Sequence, residues 1–392
     1  MLMAVIADDL TGAADAGVQF VRAGYRTAVV FHGEEAPSAD IDAISFDTDS
    51  RTMPAGFAAK RVVDVARAVR GARVVYKKVD STLRGNVAAE LAATFVVSGR
   101  EHMIVAPAFP AAGRTTVGGT QLVHGTPVDE TETQDDPLTP VREAHVPTLI
   151  GDAFSSVGTL SAEDLVEPEL VSRALRENEC VVADAERDSD LESLVRTVPD
   201  PARVLWAGSA GLALALGSVY PGPRVGDAGE RRVPVHPVLV AVGSLSGVAR
   251  EQVRRLAEEY GDVSVEAGRE NAIAAARDAL SRGTCAVVHT PEKKNASGRP
   301  VLEVLGEVVA HLSEERLFEG LVLTGGATAV EVARRLGATG IELNGEVEAG
   351  VPVGALIGPN PYPVVTKSGG FGGPDTLVGA VRALAKGEEE NT

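Results

Sequence analysis

Short apolar runs alternate with segments of helical period, and this rhythm constrains the fold more than any other feature of the chain. Leu2 to Ala7 reads as a buried strand, and a helical pattern follows from Ala13 to Ala23, with Gly24 placed to end it. Thr27 to Phe31 and Ala43 to Phe46 read as further strands. Pro54 to Arg70 reads as a helix with proline in its first turn, Val74 to Val79 as a strand, Gly85 to Val97 as a helix and Met103 to Ala106 as a strand. Such alternation predicts an α/β fold with a mainly parallel sheet. Thr115 to Thr139 breaks the rhythm; its Gly118-Gly119 and Gly125-Thr126-Pro127 predict a β-hairpin and an ordered loop laid over a site or an interface.

Alternation resumes near Val181, Leu191, Val204 and Leu212. It stops at Tyr220 to Pro237, a stretch rich in proline, glycine and charge with no period. A fresh apolar strand, Val238 to Val242, starts directly afterwards. Strands near Val263, Ala286 and Leu321 then alternate with helices from Val248, Ala272, Leu302 and Ala329. With 392 residues and a usual domain size of roughly 100–200 residues, two α/β domains are expected. The expected division is 1–225, a linker at 226–236, and 237–392, with a ligand cleft between the domains. The tail from Glu388 to Thr392 is expected to fray.

Composition narrows the function. A net charge of -18 with no basic run argues against nucleic acid, whose backbone needs a basic stripe. It leaves anionic small molecules open, because charges beyond a Debye length of about 8 Å are screened and local cations dominate. Cys180 and Cys285 form no paired motif and read as buried small residues, and the scattered histidines suggest no protein-held metal. The N-terminus meets Asp8 and Asp9 at once, unlike a signal peptide, and no apolar run is long enough to span a membrane. A cytoplasmic enzyme is expected, with a homodimer as the default assembly.

The residues that can carry chemistry follow strands. Asp8-Asp9-Leu10-Thr11-Gly12 stands where ligands bind in open α/β sheets. One acid suffices to cap the helix; the second favours a role in holding magnesium, accepting a hydroxyl proton or binding substrate hydroxyls. Phe46-Asp47-Thr48-Asp49-Ser50-Arg51 is a second strand-end cluster, and Lys77 to Asn86 a third. In the third, strand alternation places Lys77 and Lys78 on opposite faces, so at most one reaches a given site. Asp80, Ser81 and Thr82 are either caps of the next helix or ligand groups. Lys78 and Arg84 make a carboxylate pocket plausible. Arg114, in the run Pro107 to Thr116, is as compatible with a structural turn as with an anion contact.

Glycine-bearing loops follow strands in the second half: Gly243 to Gly247, Thr324 to Ala329, and Thr366 to Gly373. Glycine lets backbone amides approach an anion, and a helix start favours negative charge. None is a Walker A loop, and none fits the dinucleotide fingerprint. Three together favour a phosphate site over ordinary turns.

Taken together, these runs resemble the four-carbon acid sugar kinases. The matching stretches are IADDLTGAADAG (Ile6 to Gly17), KKVDSTLRGN (Lys77 to Asn86), PAFPAAGRTT (Pro107 to Thr116), DDPLTPV (Asp135 to Val141), TGGATA (Thr324 to Ala329) and VVTKSGGFG (Val364 to Gly372). The resemblance implies an N-terminal sugar-acid-binding domain and a C-terminal nucleotide-binding domain. It implies phosphorylation of D-threonate, D-erythronate or 3-oxo-tetronate at the terminal O4 hydroxyl. By position the substrate side would involve Asp8, Asp9, Arg51, Lys78, Asp80, Ser81 and Arg84. The nucleotide side would involve Ser244, Ser246, Gly325, Gly326, Thr328, Gly369, Gly370 and Gly372. Two departures stand out: Ala327, where the family often has an acid, and the bulky Leu245 between two serines.

The expected reaction is in-line transfer of the ATP γ-phosphoryl group, with magnesium carried on the nucleotide. Asp9 or Asp8 takes the hydroxyl proton, with Asp80 in reserve. Arg51, Lys78 or Arg84 holds the substrate carboxylate, with Thr11, Ser81, Thr82 and Arg114 as further substrate contacts. Lys367 joins the glycines on the nucleotide. The rival readings are an acyl-phosphate-forming or phosphatase-like enzyme on the same ligands, and a non-catalytic sensor of a sugar acid or nucleotide.

Overall fold

The computed structural model describes residues 2–37, 40–224, 234–261, 264–282, 285–291 and 301–386. The chain separates into two compact units, Met1–Gly226 and Asp227–Thr392. Most of the expected linker, the Val263 strand position and the expected frayed tail lie outside the described residues.

The first unit contains β1 (Met3–Ala7), α1 (Leu10–Arg22), β2 (Thr27–Val30), β3 (Ala43–Asp47), α2 (Ala55–Ala68), β4 (Val74–Lys78), α3 (Val87–Ser98) and β5 (His102–Ala106). A small antiparallel sheet of β6 (Arg114–Val117), β7 (Thr120–Val123) and β8 (Thr126–Pro127) follows, as the glycine signals predicted. The unit continues with α4 (Val146–Gly151), β9 (Val157–Leu160), α5 (Pro168–Glu177), β10 (Cys180–Ala183), α6 (Asp188–Thr197), β11 (Val204–Gly208) and α7 (Ala210–Val219). The main strands lie in the order β2-β3-β1-β4-β11-β5-β10-β9, with every pairing parallel.

Both faces of this sheet are covered, so its strands read as continuous apolar runs rather than alternating ones. Met3 and Val5 join one core cluster with Phe20, Tyr76 and Trp206, while Ala4 and Ile6 join the opposite one with Val75, Leu91 and Met103. The helix expected from Ala13 begins earlier, at Leu10, because Asp9 caps it: the Asp9 carboxylate accepts a hydrogen bond from the Gly12 N–H at 2.8 Å.

The second unit contains β12 (Val238–Val242), α8 (Gly247–Tyr260), β13 (Ser264–Glu266), α9 (Ala272–Arg282), β14 (Cys285–His289), α10 (Val301–Glu314), β15 (Gly320–Thr324), α11 (Gly326–Arg335), β16 (Gly340–Glu346), β17 (Pro352–Ile357), β18 (Pro363–Lys367) and α12 (Thr376–Lys386). Its strands run β13-β14-β12-β15-β18-β17-β16. The first five are parallel, and β17 and β16 close the series with antiparallel pairings. Val238, Val240 and Val242 pack with Leu256 of α8 and Leu377, Val381 and Leu384 of α12. Each unit is thus α/β with a mainly parallel sheet. Among the described residues no helix is long and apolar enough to cross a membrane.

Candidate functional site

The strand order of the first unit reverses at β1, which lies between β3 and β4. All three are parallel, with Ala7 beside Asp47 and Ile6 beside Lys77. Their carboxyl ends therefore share one edge, and the crevice outside such a reversal is where open α/β sheets bind ligands. The three strand-end clusters singled out in the sequence leave from this point.

Arg51 ties them together. Its Nε and Nη2 donate to the two oxygens of Asp8 at 2.8 and 2.9 Å, and its Nη1 and Nη2 donate to the two oxygens of Asp9 at 2.7 and 2.8 Å. The same Nη2 lies 3.5 Å from Asp80 Oδ2. The planar guanidinium suits two carboxylates at once in a way that lysine does not. Arg51 is thus a clamp between acids. Of Arg51, Lys78 and Arg84, each offered by the sequence for the substrate carboxylate, Arg51 has its donors on Asp8 and Asp9.

Arg84 is the more open cation: its side chain is 34% exposed, against 13% for Arg51. Its Nη2 donates to Asp80 Oδ2 at 2.9 Å, and its Nη1 lies 3.7 Å from Asp136. Asp80 also accepts from the Thr82 N–H and hydroxyl. Asp80 therefore caps its own turn and not α3, whose N-terminal Asn86 makes no side-chain cap. Asn86 instead donates to the Met53 carbonyl at 2.8 Å, fastening the Arg51 loop to the Arg84 loop.

The two lysines part as alternation requires. Lys77 forms a buried ion pair with Glu90 of α3 at 2.8 Å, and Glu90 also accepts from Ser50. Lys78 lies on the opposite side: its Nζ donates to the Val79 carbonyl and stands where a side chain on Gly12 would meet it. Thr11 is half-buried in the first turn of α1, and Ser81 is half-buried beside Asp80. Arg114 is not drawn into this cluster; its guanidinium donates to the Ala112 carbonyl.

Electrostatics separate the acids. Burial pushes Asp8 up, but Arg51 and Lys77 outweigh it and leave it below the usual carboxylate range. Burial pushes Asp9 up as well, and there the Asp8 charge adds to it, so Asp9 stays raised despite Arg51. Burial also opposes ionisation of Asp80, yet Arg84 and Arg51 hold it well below the usual range. Asp9 is also the most open of the three, with a side chain 26% exposed against 5% for Asp8 and 10% for Asp80. A raised pKa and an accessible carboxylate are what a proton acceptor needs.

Sequence reasoning passed over Glu90, named Asp47 and Asn86 only as members of clusters, and met Asp136 only inside a matching stretch. Asp47 is buried at the end of β3 and accepts from the Asp49 N–H at 2.8 Å. Burial, with Asp9, Asp49 and Asp8 nearby, pushes its carboxyl up to about 7. Its place in a strand-end acidic run was the available signal; that it meets no cationic partner among the described residues needed the fold.

In the second unit the three glycine loops converge. Ser246 caps α8 through the Ala249 N–H and donates its hydroxyl to the Gly369 carbonyl at 2.6 Å. The Gly325 N–H donates to the Lys367 carbonyl at 2.8 Å. Gly325 has a φ of 101°, which a side chain would strain. A Cβ on Gly369 would stand 2.0 Å from Ser244 Oγ, so this close approach requires glycine. Thr328 packs against Gly243 in the same way. The first turn of α11, which holds Gly326, Ala327 and Thr328, has no side-chain cap, so its N–H groups are available to an anion. Gly370 and Gly372 lie in the loop after β18, and Gln252 donates to its Phe371 and Gly373 carbonyls. Lys367 ends β18 with its Nζ on the Ser368 carbonyl, and burial pushes its pKa down to about 8. A cavity of about 230 Å³ opens beside Ser244, walled by Val242, Val253, Ala257, His289 and Thr290.

Residues 3–216 match a family model described as a sugar-binding N-terminal domain, and residues 239–377 one described as a nucleotide-binding C-terminal domain. The D-threonate kinase of Bordetella bronchiseptica is 37% identical, over 97% of this chain and 96% of its own length. The chain belongs to the four-carbon acid sugar kinase family. As a member of this kinase family it is a phosphotransferase. Another member, the D-threonate kinase of Salmonella typhimurium, is 34% identical over 97% of this chain and 98% of its own length. A solved Bordetella bronchiseptica structure, a domain-swapped dimer with bound citrate, is 35% identical, covers 98% of this chain and 99% of its own, and has a TM-score of 0.52. A Haemophilus influenzae structure shares the fold at a TM-score of 0.76 and 22% identity, covering 97% of this chain and 100% of its own.

Proposed function

We propose that this kinase transfers the γ-phosphoryl group of ATP to the terminal O4 hydroxyl of a four-carbon sugar acid. The observation that carries the reading is the Asp8–Asp9–Arg51–Asp80–Arg84 cluster at the reversal point of the sugar-binding half. D-threonate is the leading substrate. Relatives named as D-threonate kinases are 34% to 37% identical, whereas those named for D-erythronate and 3-oxo-tetronate are 29% to 30% identical.

In this reading Arg84, with Lys78 nearby, meets the substrate carboxylate. Asp9 accepts the O4 proton as that oxygen bonds to the γ-phosphorus and the bond to ADP breaks. Arg51 holds Asp8 and Asp9 in place and keeps their two negative charges compatible. The amides of Gly325, Gly326 and Thr328, with Lys367, Gly369, Gly370 and Gly372, receive the phosphates; Ser244 and Ser246 fix the loops. The cavity beside Ser244 offers an apolar wall to the base. Magnesium, carried on the nucleotide, neutralises phosphate charge. A single chain, a homodimer and a cytoplasmic site are all compatible with this chemistry; the homodimer and the cytoplasm are our proposals.

The test is coupled ADP release with ATP and magnesium over D- and L-threonate, D- and L-erythronate, 3-oxo-tetronate and, as a shorter control, glycerate. Turnover on one four-carbon acid, with D-threonate first, is expected. Silence across the panel with no ATP binding would contradict the reading and favour a non-catalytic sensor.

A further inference from the structure

The sheet of β6, β7 and β8 plays no part in the chemistry above, yet it bridges the ends of three main strands. Thr116 and Ala185 exchange backbone hydrogen bonds of 3.0 Å, joining β6 to the loop after β10. Phe109 and Arg114 pair in the same way, joining it to the loop after β5. Gln121, wholly buried on β7, makes the third link. Its Nε2 donates to the Ser81 carbonyl at 2.8 Å and to the Pro107 carbonyl at 3.4 Å. Its Oε1 accepts from the Thr116 hydroxyl at 2.7 Å, and its backbone N–H donates to the Ala144 carbonyl at 2.9 Å. The amide orientation is fixed by these bonds, since Thr116 Oγ1 can donate and the two carbonyls can only accept.

Ser81 sits in the turn that carries Asp80, Thr82 and Arg84. That turn is strained: Leu83 has a φ of 61°, a left-handed conformation that a branched apolar residue rarely adopts. Such a conformation persists only where its surroundings over-determine it. The Leu83 side chain is buried, the Leu83 N–H donates to the Asp80 carbonyl at 2.9 Å, and Gln121 holds the Ser81 carbonyl between them.

We propose that Gln121 is a positioning residue for the sugar-acid site, holding the 80–84 turn in the strained form that presents Asp80, Thr82 and Arg84. The proposal rests on the functional reading above. It gives the hairpin a role in the acid site, where it braces one side of the 80–84 turn.

The test is steady-state kinetics on the full chain for Gln121→Met, which keeps the volume and removes the amide, and for Thr116→Val, which keeps the Ser81 bond but frees the amide to turn. Melting temperatures are read alongside. For Gln121→Met the KM for the sugar acid should rise about tenfold, the scale of one lost buried hydrogen bond. The KM for ATP should stay within about twofold, and Thr116→Val should show the same split with a smaller rise. An unchanged acid KM in both variants overturns the proposal. So does a parallel change in both KM values and kcat with a lowered melting temperature, which marks a merely structural residue. A wild-type chain silent on every acid would instead bring down the functional reading and this proposal with it.

Discussion

The two halves of the chain solve the same problem with different materials. Both place their chemistry at the carboxyl ends of parallel strands. The first half uses charged side chains: Asp8, Asp9 and Asp80 interleaved with Arg51 and Arg84, each within hydrogen-bond or ion-pair distance of the next. The second half uses backbone: Gly325 at positive φ, an uncapped α11, and a Gly369–Ser244 contact that admits no Cβ. The difference matches the ligands proposed. A sugar acid offers one carboxylate and several hydroxyls whose configuration must be read by directional side chains. A polyphosphate offers spread negative charge, which a nest of amides serves without side-chain entropy.

The comparison breaks most visibly at Asp9. Asp9→Asn keeps an oxygen to cap Gly12, but it sets an amide N–H against Arg51 Nη1 and removes the charge of the proposed proton acceptor. A fall in kcat of about 10²- to 10⁴-fold is expected, with the KM for ATP little changed, measured by coupled ADP release. A kcat near wild type would move the base elsewhere. The backbone site should fail differently. Gly369→Ala would drive a Cβ to 2.0 Å from Ser244 Oγ, and such overpacking costs about 1–3 kcal/mol. The KM for ATP should rise while thermal stabilisation by the sugar acid alone persists.

Lys367 sharpens the contrast through pH. Burial lowers its pKa to about 8, so it is cationic below that pH and loses its charge above it. The KM for ATP should rise above about pH 8 in the wild type. In Lys367→Met it should be raised by about tenfold, the scale of one lost charge-assisted hydrogen bond, and that alkaline rise should vanish.

The smallest expected effect on turnover is at Asp47, which shows in stability instead: its pKa is raised to about 7. A raised carboxyl binds its proton more tightly when folded, so ionisation weakens the fold as pH climbs from the ordinary carboxylate range through 7. Asp47→Asn can still accept from the Asp49 N–H. It should melt above wild type at pH 8, and the gain should shrink below pH 5. An equal shift at both pH values would show that Asp47 carries no such penalty.

Much of this was legible in the sequence, for reasons that are local. Buried parallel strands are apolar on both faces, so β1, β5 and β12 stood out as continuous runs. The period-two rule separated Lys77 from Lys78 correctly. The glycine signals at Gly118-Gly119 and Gly125 marked the β6–β7 hairpin. What stayed hidden depends on distant partners. The Asp9 cap that starts α1 at Leu10 is local, but the Arg51 that Asp9 also meets is not. The antiparallel β16 and β17 sit at one end of a sheet whose other strands are parallel, and no local pattern announces a change of direction. Arg51 as a clamp, Glu90 as the partner of Lys77 and Gln121 as a brace are each set by residues far away in the sequence.

The most direct test of the central claim is the identity of the product, read by phosphorus and carbon NMR after turnover of D-threonate with ATP and magnesium. The account predicts one phosphomonoester on the O4 carbon for each ADP released, with the carboxylate unchanged. An acyl phosphate on the carboxylate, or inorganic phosphate beside an unaltered acid, would contradict it.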